Sequence, residues 1–400
     1  MVMNNEAIES SKGLTIVLKL GTSSICDEVT HLPHLATLSH IVETIVKLKA
    51  LGHRVALTTS GAVGVGMRAL NVSTKPSELA KRQALAAVGQ SKLMSLYEDL
   101  FSMFKQPTAQ ILLTKGDLAD RTRYNNARDT FEELFSAGVV PIVNENDTIS
   151  VNEIRFGDND TLSAITAGMV QADYLFLLTD VDCLYTDNPR SNPDAKVVSR
   201  VTDIDQLKKE INVTSPGSSV GTGGMVTKLV AAELATAAGV HTVITRGSEP
   251  ERVFDIVRYY EGGETDSKLE VPLHTCFVAK PVPMVDRKWW ILHGIHTAGT
   301  VVVDEESAEM LAKDPNALSS SHIVRVDGQF VPNQGVSIAV AKPVNGNGEI
   351  GIVMVGKGLV NYSSKELNRI KGCKETMISQ ILGYGESPIV MEMDNFVALM

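Results

Sequence analysis

The chain has 400 residues, 44% of them hydrophobic, with a formal net charge of −10 and a pI near 5.5. That leaves room for two or three domains with real cores and argues against a global nucleic-acid or membrane-surface binder. Four widely spaced cysteines without CxxC spacing suggest neither a zinc site nor a disulfide framework, and neither a secretory leader nor a bilayer-length apolar run of roughly 20 residues is present, so a soluble, cytoplasmic protein is expected.

In chain order, Leu14 to Leu20 (LTIVLKL) reads as a strand closed by the turn Gly21-Thr22-Ser23-Ser24. Lys19 interrupts it. A lysine there either emerges at the strand end to meet an anion or snorkels to the surface. A helix is expected from His34 to Leu51 and a second strand from Arg54 to Thr59. The run Ser60-Gly61-Ala62-Val63-Gly64-Val65-Gly66 follows, whose glycines would let backbone N–H groups approach a carboxylate or phosphate. Its order is GxxGxG, not the dinucleotide fingerprint. Helical spacing covers Glu78 to Phe104 and Thr122 to Ala137, with strands at Ala109 to Leu113 and Val139 to Val143. Next comes the polar stretch NENDTISVNEIRFGDNDT, Asn144 to Thr161, ahead of a small-residue helix starting near Thr161. Its carboxylates and amides suit a substrate bearing both an ammonium and a carboxylate, although a solvated acidic loop would have a similar composition.

Asp173 to Leu178 reads as a strand ended by Thr179-Asp180-Val181-Asp182, where a carboxylate can also serve as a helix cap. Pro216 to Lys228 (PGSSVGTGGMVTK) opens into a helix over Leu229 to Ala238 and resembles an anion site at a helix start; it lacks the GK[ST] ending of a Walker A loop. The unit closes with a strand at Thr242 to Thr245 and a helix from Pro250 to Tyr259. Strand and helix alternate throughout, which points to an α/β sandwich with a mainly parallel sheet whose ligands collect at the carboxyl ends of strands. Beyond a boundary between about 270 and 288 the chain reads as a small β-rich domain with little helix before Ser364 to Lys371. It opens with Arg287-Lys288-Trp289-Trp290, either a stacking platform for single strands or a structural tryptophan pair. Gly346 to Gly351 (GNGEIG) matches GxGxxG but is followed by strand-like residues, so a hairpin turn is expected.

With these pieces placed, IVLKLGTSS, TTSGAVGVG, VNENDTIS, FGDNDTLSA, LLTDVDCLYTDNPR and GTGGMVTKLVAA together resemble the glutamate 5-kinase branch of the amino acid kinase superfamily over about 14 to 260. The segment RKWWILHGIHTAGTVVVDEES resembles the start of a PUA domain, with Glu305-Glu306-Ser307 where that family has a glycine-containing turn. The resemblance implies an amino acid kinase-like three-layer α/β/α sandwich over 12–268 and a small β-rich PUA-like domain over 287–375. It implies that Lys19 and Lys228 grip the transferred phosphoryl and that Asp160 holds both lysines. Ser60, Gly61, Asp147, Asp158 and Asn159 would bind the amino acid. Lys19, Gly21, Thr179, Asp180, Thr222, Gly223, Gly224, Met225, Val226, Thr227 and Lys228 would bind ATP.

The implied reaction is phosphorylation of the γ-carboxylate of L-glutamate by ATP, the first step of proline biosynthesis. Mg²⁺ would be carried mainly by ATP, with no metal site assigned to the protein. Proline is the implied feedback inhibitor, with Thr114 to Arg123 as a mobile loop near the glutamate site. A homo-oligomer, dimer or tetramer, and a glutamyl phosphate reductase partner are further implications. The residues leave open a kinase for aspartate, N-acetylglutamate or a nucleoside monophosphate, and an RNA-binding protein acting through the PUA-like domain.

Overall fold

β1 (Thr15–Leu20) is buried along its whole length, as a run of branched and apolar residues covered on both faces must be. The computed structural model to which it belongs describes residues 13–27, 29–150, 159–187, 192, 194–211, 224–262, 271–284, 286–313, 318–343, 350–383 and 389–399. After the single turn α1 (Thr22–Ile25) comes α2 (Leu35–Ala50), whose Leu38, Ile41, Val42, Ile45 and Leu48 recur at helical spacing and are buried. β2 (Arg54–Thr58), α3 (Ala62–Ala69), α4 (Leu79–Ser102) and β3 (Thr108–Leu113) follow. Then come α5 (Lys115–Ala119), α6 (Arg121–Ser136), β4 (Val140–Glu145), α7 (Asn159–Met169) and β5 (Tyr174–Thr179). The small antiparallel pair β6 (Leu184–Tyr185) and β7 (Val197–Val198) precedes β8 (Arg200–Val201) and α8 (Ile204–Glu210). α9 (Met225–Ala237), β9 (His241–Arg246), α10 (Arg252–Glu261) and β10 (Thr275–Phe277) complete this part.

The chain divides into two compact units, Met1–Thr114 with Thr122–Pro283, and Lys115–Arg121 with Met284–Met400. The first holds an eight-stranded sheet in the order β3-β4-β2-β1-β5-β9-β10-β8, parallel except where β10 meets β9. Strand alternation sorts its two faces. Ile16, Leu18 and Leu20 join α2, α4 and α10 residues in one core, while Lys19 points the other way to Asp160 of α7, which packs with α9. The result is helix, sheet, helix. In register, Lys19 stands opposite Thr58 and Leu177, and Thr58 opposite Val143, so the carboxyl ends of β4, β2, β1 and β5 lie side by side.

Thr114 to Arg123, expected as a mobile loop, instead holds α5 and the start of α6, and its Lys115–Arg121 belong to the second unit. Three more local outcomes differ from the sequence expectation, and each bears on the site. The glycine run is not a loop: α3 occupies Ala62–Ala69, and only Ser60 and Gly61 stay outside it. A Cβ on Gly66 would lie 1.9 Å from the Leu85 carbonyl oxygen, and one on Gly89 would lie 1.7 Å from that of Ala62, so these glycines let α3 and α4 touch backbone to backbone. β4 runs on to Glu145, which puts Asn144 and Glu145 in a buried strand instead of a loop. α7 starts at Asn159, ahead of the expected Thr161, so Asn159 and Asp160 form its first turn.

The second unit contains α11 (Asp286–Trp289), the wide turn Trp290–Gly294 and a five-stranded sheet. Its strands β11 (Gly299–Val303), β13 (Ile323–Gly328), β14 (Gly335–Pro343), β15 (Ile350–Leu359) and β17 (Phe396–Ala398) are ordered β13-β11-β14-β15-β17, with β12 (Leu318–Ser319) paired outside it to β16 (Ile389–Met391). All neighbours in the five-stranded sheet are antiparallel except β11 and β14. The GNGEIG run joins the antiparallel pair β14 and β15; its residues 346–349 lie outside the described set. Where turns were expected, α12 (Glu305–Lys313) forms, because the Asp304 carboxylate accepts the Ser307 N–H at 2.8 Å and caps it. α13 (Ser364–Ile370) begins with a reciprocal box between Ser363 and Glu366. Trp289 and Trp290 are 1% and 2% exposed, which removes the stacking-platform reading. The Trp290 indole N–H donates to the Leu118 carbonyl at 2.5 Å, and the Arg121 guanidinium lies 5.2 Å from the Trp290 ring centre.

Candidate functional site

Asp160, fully buried in the first turn of α7, sits between two lysines from different elements. Lys19 of β1 pairs with its Oδ1, and Lys228 of α9 lies 3.3 Å from its Oδ2. Both ammonium-bearing side chains are at most a tenth exposed. The Thr227 hydroxyl donates to the same Oδ2 at 2.7 Å, and the Gly224 N–H donates to Thr227 Oγ1 at 3.0 Å, tying the start of α9 into the group. Burial alone would push the Asp160 carboxyl up. The charges of Lys19 and Lys228 and hydrogen bonds from Lys19 and Thr227 outweigh it and hold the carboxyl at about 2. Burial pulls the Lys228 ammonium below the usual lysine range, with Asp160 opposing. Two buried cations against one anion leave a net positive charge facing the strand ends, which is a site for a further anion.

Asn159, next in sequence, turns to the other side. Its amide nitrogen lies 2.7 Å from the Thr59 carbonyl, 2.9 Å from Ser60 Oγ and 2.9 Å from Asn144 Oδ1, three acceptors that share its two hydrogens. Gly61 has φ 95°, a left-handed conformation that favours glycine, and a Cβ there would approach Ile25 Cγ2 at 3.1 Å. The sharp corner it makes places Ser60 at the end of β2. Gly21 follows β1 directly, where an added Cβ would stand 3.7 Å from Lys19 Nζ. Thr179 ends β5 with its carbonyl accepting the Gly247 N–H at 2.7 Å and its hydroxyl donating to Asp180 at 3.1 Å. The charge of Asp180 adds a small upward push on the Lys228 ammonium against its burial.

Of the residues expected from sequence, Lys19, Asp160, Thr227 and Lys228 form one cluster, Ser60 and Asn159 a second joined to it along the backbone of α7. Asp147 is half-buried in the turn after β4. Met225 and Val226 open α9, with Val226 exposed. Asp158, Thr222 and Gly223 lie outside the described residues. Asp182 is no helix cap: the Arg246 fork grips it at 2.8 and 2.6 Å, and Arg252 adds a contact at 2.8 Å. Two contributors were missing from the expectation. Asn144 is buried at the end of β4, and Gln90 of α4 accepts from its amide at 2.7 Å. Asn144 was visible inside the NEND stretch. Gln90 had no sequence signal beyond a polar residue beside the buried Ala86, Gly89 and Leu93.

A model of the amino acid kinase family matches residues 14–246, the stretch that contributes all of these side chains except Arg252. The chain belongs to the amino acid kinase family. A PUA domain model matches residues 299–382. A protein of Schizosaccharomyces pombe named probable glutamate 5-kinase is 50% identical over 397 residues, spanning 99% of this chain and 96% of its own length. A glutamate 5-kinase of Nostoc punctiforme is 44% identical over 385 residues, spanning 96% and 99%. An uncharacterized protein of Saccharomyces cerevisiae is 44% identical over 416 residues, spanning 96% and 98%.

Proposed function

We propose that this amino acid kinase transfers the γ-phosphoryl of ATP to the γ-carboxylate of L-glutamate, giving γ-glutamyl phosphate and ADP, as the first step of proline biosynthesis. The observation that carries the reading is the first turn of α7. Asp160 there joins Lys19 to Lys228, while the adjacent Asn159 reaches Ser60, so one turn of helix organises a phosphate end and an amino acid end together.

A carboxylate is already ionised at neutral pH and needs no general base. The obstacle is repulsion between two anions that must meet in line, and the remedy is positioning with preorganised positive charge. Lys19 and Lys228 supply that charge, and Asp160 holds both. Ser60, Gly61, Asp147, Asp158 and Asn159 hold glutamate. Thr179, Asp180 and the run Thr222, Gly223, Gly224, Met225, Val226, Thr227 and Lys228 hold the nucleotide, with Gly21 beside the phosphates. Mg²⁺ would be carried mainly by ATP. Its role is to neutralise phosphate charge.

The kinase domain takes 12–268 and the PUA-like domain 287–375. Proline as feedback inhibitor, a homo-oligomeric state, a cytoplasmic location and a glutamyl phosphate reductase as acceptor of the product complete the proposal. No helix among the described residues is long and apolar enough to cross a membrane. The test is trapping with hydroxylamine in the presence of MgATP and glutamate, beside aspartate and N-acetylglutamate. γ-Glutamyl hydroxamate from glutamate alone is the expected result; hydroxamate from only one of the other acids would reassign the substrate.

A further inference from the structure

Three amide side chains run in series behind the amino acid end of the site, and two backbone groups reveal which way Asn144 and Asn159 face. The oxygen and nitrogen ends of an Asn or Gln amide are set by what surrounds them. The Glu145 backbone N–H, which can only donate, lies 2.9 Å from the near end of the Asn144 amide, so that end is Oδ1. The Thr59 carbonyl, which can only accept, lies 2.7 Å from the near end of Asn159, so that end is Nδ2. Asn159 Nδ2 then donates to Asn144 Oδ1 at 2.9 Å, and Asn144 Nδ2 donates onward to Gln90 Oε1 at 2.7 Å. Gln90 ends the series, its Nε2 buried without a hydrogen-bond partner among the described residues.

This polarity has a consequence at the site. Asn159 Nδ2 has two hydrogens, directed to the Thr59 carbonyl and Asn144 Oδ1, so Ser60 Oγ at 2.9 Å can at most share one of them; because an amide nitrogen does not accept, the Ser60 hydrogen is left to donate elsewhere, which suits a carboxylate oxygen. The opposite end of Asn159, Oδ1, can only accept, which suits an ammonium. A reversed Asn144 would set its Nδ2 against the Asn159 Nδ2 and the Glu145 N–H, donor against donor. Gln90 Oε1 on α4 is what satisfies Asn144 Nδ2 in the arrangement observed. α4 supports the same stretch a second time, seven residues earlier on the same helix face, where Gln83 Nε2 donates to the Ser150 carbonyl at 3.1 Å.

We infer that Gln90 is a positioning residue for the amino acid substrate: through its acceptor oxygen it holds Asn144, and through Asn144 the Asn159 amide, in the orientation that presents a donor at Ser60 and an acceptor at Asn159. This rests on the reading of Ser60 and Asn159 as the amino acid end. Gln90 touches no substrate, and the half of its amide that matters is the oxygen alone.

The test compares three replacements of similar length in the hydroxamate assay, with KM measured separately for glutamate and ATP. Gln90→Glu keeps an acceptor, Gln90→Met keeps only the shape, and Gln90→Lys offers only donors. The expected order of glutamate KM is wild type, Gln90→Glu, Gln90→Met, Gln90→Lys, with Gln90→Met raised roughly tenfold and the KM for ATP within about twofold. A residue that merely fills space would give the opposite order, Met nearest to wild type and the charged Glu worse. That order, or parallel changes in both KM values, overturns the inference. If Gln90→Lys does not fold, the Met and Glu variants decide alone. Wild-type protein that makes no hydroxamate from glutamate overturns the functional reading and the inference with it; an active wild type with an unaffected Gln90→Met overturns the inference only.

Discussion

On one side of the first turn of α7, Asp160 balances two buried lysines; on the other, Asn159 joins a series of uncharged amides. The charged side draws strength from being dry, since ion pairs are screened little when their members are as buried as Lys19, Lys228 and Asp160. It is correspondingly fragile. Removing one member of a buried group leaves the others uncompensated. The amide side has much less energy in it, about 1 kcal/mol per neutral hydrogen bond, but it has direction, because each amide distinguishes its two ends. On the proposed function, charge would decide how hard an anion is held, and the amides which way round the other substrate sits.

The comparison breaks most severely at Asp160. Asp160→Ala leaves Lys19 and Lys228 facing one another with no anion, and a loss of about 3–5 kcal/mol in unfolding free energy is expected together with loss of turnover. Urea denaturation beside the hydroxamate assay measures both; a variant of normal stability would show that the lysines do not depend on Asp160. Removing a lysine instead should spare more of the fold and strike the rate. For Lys19→Ala or Lys228→Ala the expected fall in turnover is roughly 10²–10³-fold, about 3–4 kcal/mol of transition-state stabilisation. Near-normal turnover in either variant would end the reading of this cluster as the phosphoryl grip.

Acid titration reaches the same cluster without mutation. The Asp160 carboxyl is held at about 2 in the fold against 3.8 for a free aspartate. A lowered carboxylate contributes stability above its unfolded value and loses it as pH falls toward its folded one. Wild type should therefore lose on the order of 2 kcal/mol from this group between about pH 4 and pH 2, and Asp160→Asn should lack that component. Denaturation curves at several acid pH values for the two proteins give the difference directly; parallel losses in both would assign the acid sensitivity elsewhere.

How much of this was legible beforehand follows the same division. Lys19 could be read because a cation in a strand of six otherwise apolar or β-branched residues needs a partner, and the sheet could be read because its strands are short apolar runs between helical spacings. The family motifs drew attention to Ser60 and Asn159. The partners of these residues were not legible. Gln90 lies 54 residues from Asn144 in sequence, and a glutamine on a 24-residue helix gives no sign that its oxygen faces inward. The glycines of TTSGAVGVG suggested a phosphate cradle, whereas Gly66 serves the contact between α3 and α4, a tertiary requirement that a local pattern cannot express. α12, by contrast, is legible in the sequence, since Asp304 ahead of Glu305 and Glu306 is a capping signal in its own right.

A third group of charges sharpens the contrast and should respond least. Asp182 is gripped by Arg246 and Arg252 at the ends of β5 and β9, with side chains 21%, 36% and 18% exposed, against 0% for Asp160. Hydrogen bonds from the Arg246 fork, with Arg252 adding to them, outweigh burial and hold the Asp182 carboxyl at about 2. By its lowered carboxyl this hub resembles the Asp160 cluster. By exposure it does not, and solvent near the arginines discounts their attraction. Asp182→Asn should cost about 1 kcal/mol or less, with turnover nearly unchanged. Raising salt from about 0.05 to about 0.5 M, where the screening length contracts from above 10 Å to below 5 Å, should narrow the gap between Asp182→Asn and wild type. The same salt change should leave the gap for Asp160→Asn in place, because ions do not reach it. If both gaps were insensitive to salt, the Asp182 hub would be as insulated as the lysine cluster; if both narrowed, the lysine cluster would be open to ions, and its grip on a phosphate would be far weaker than its burial implies.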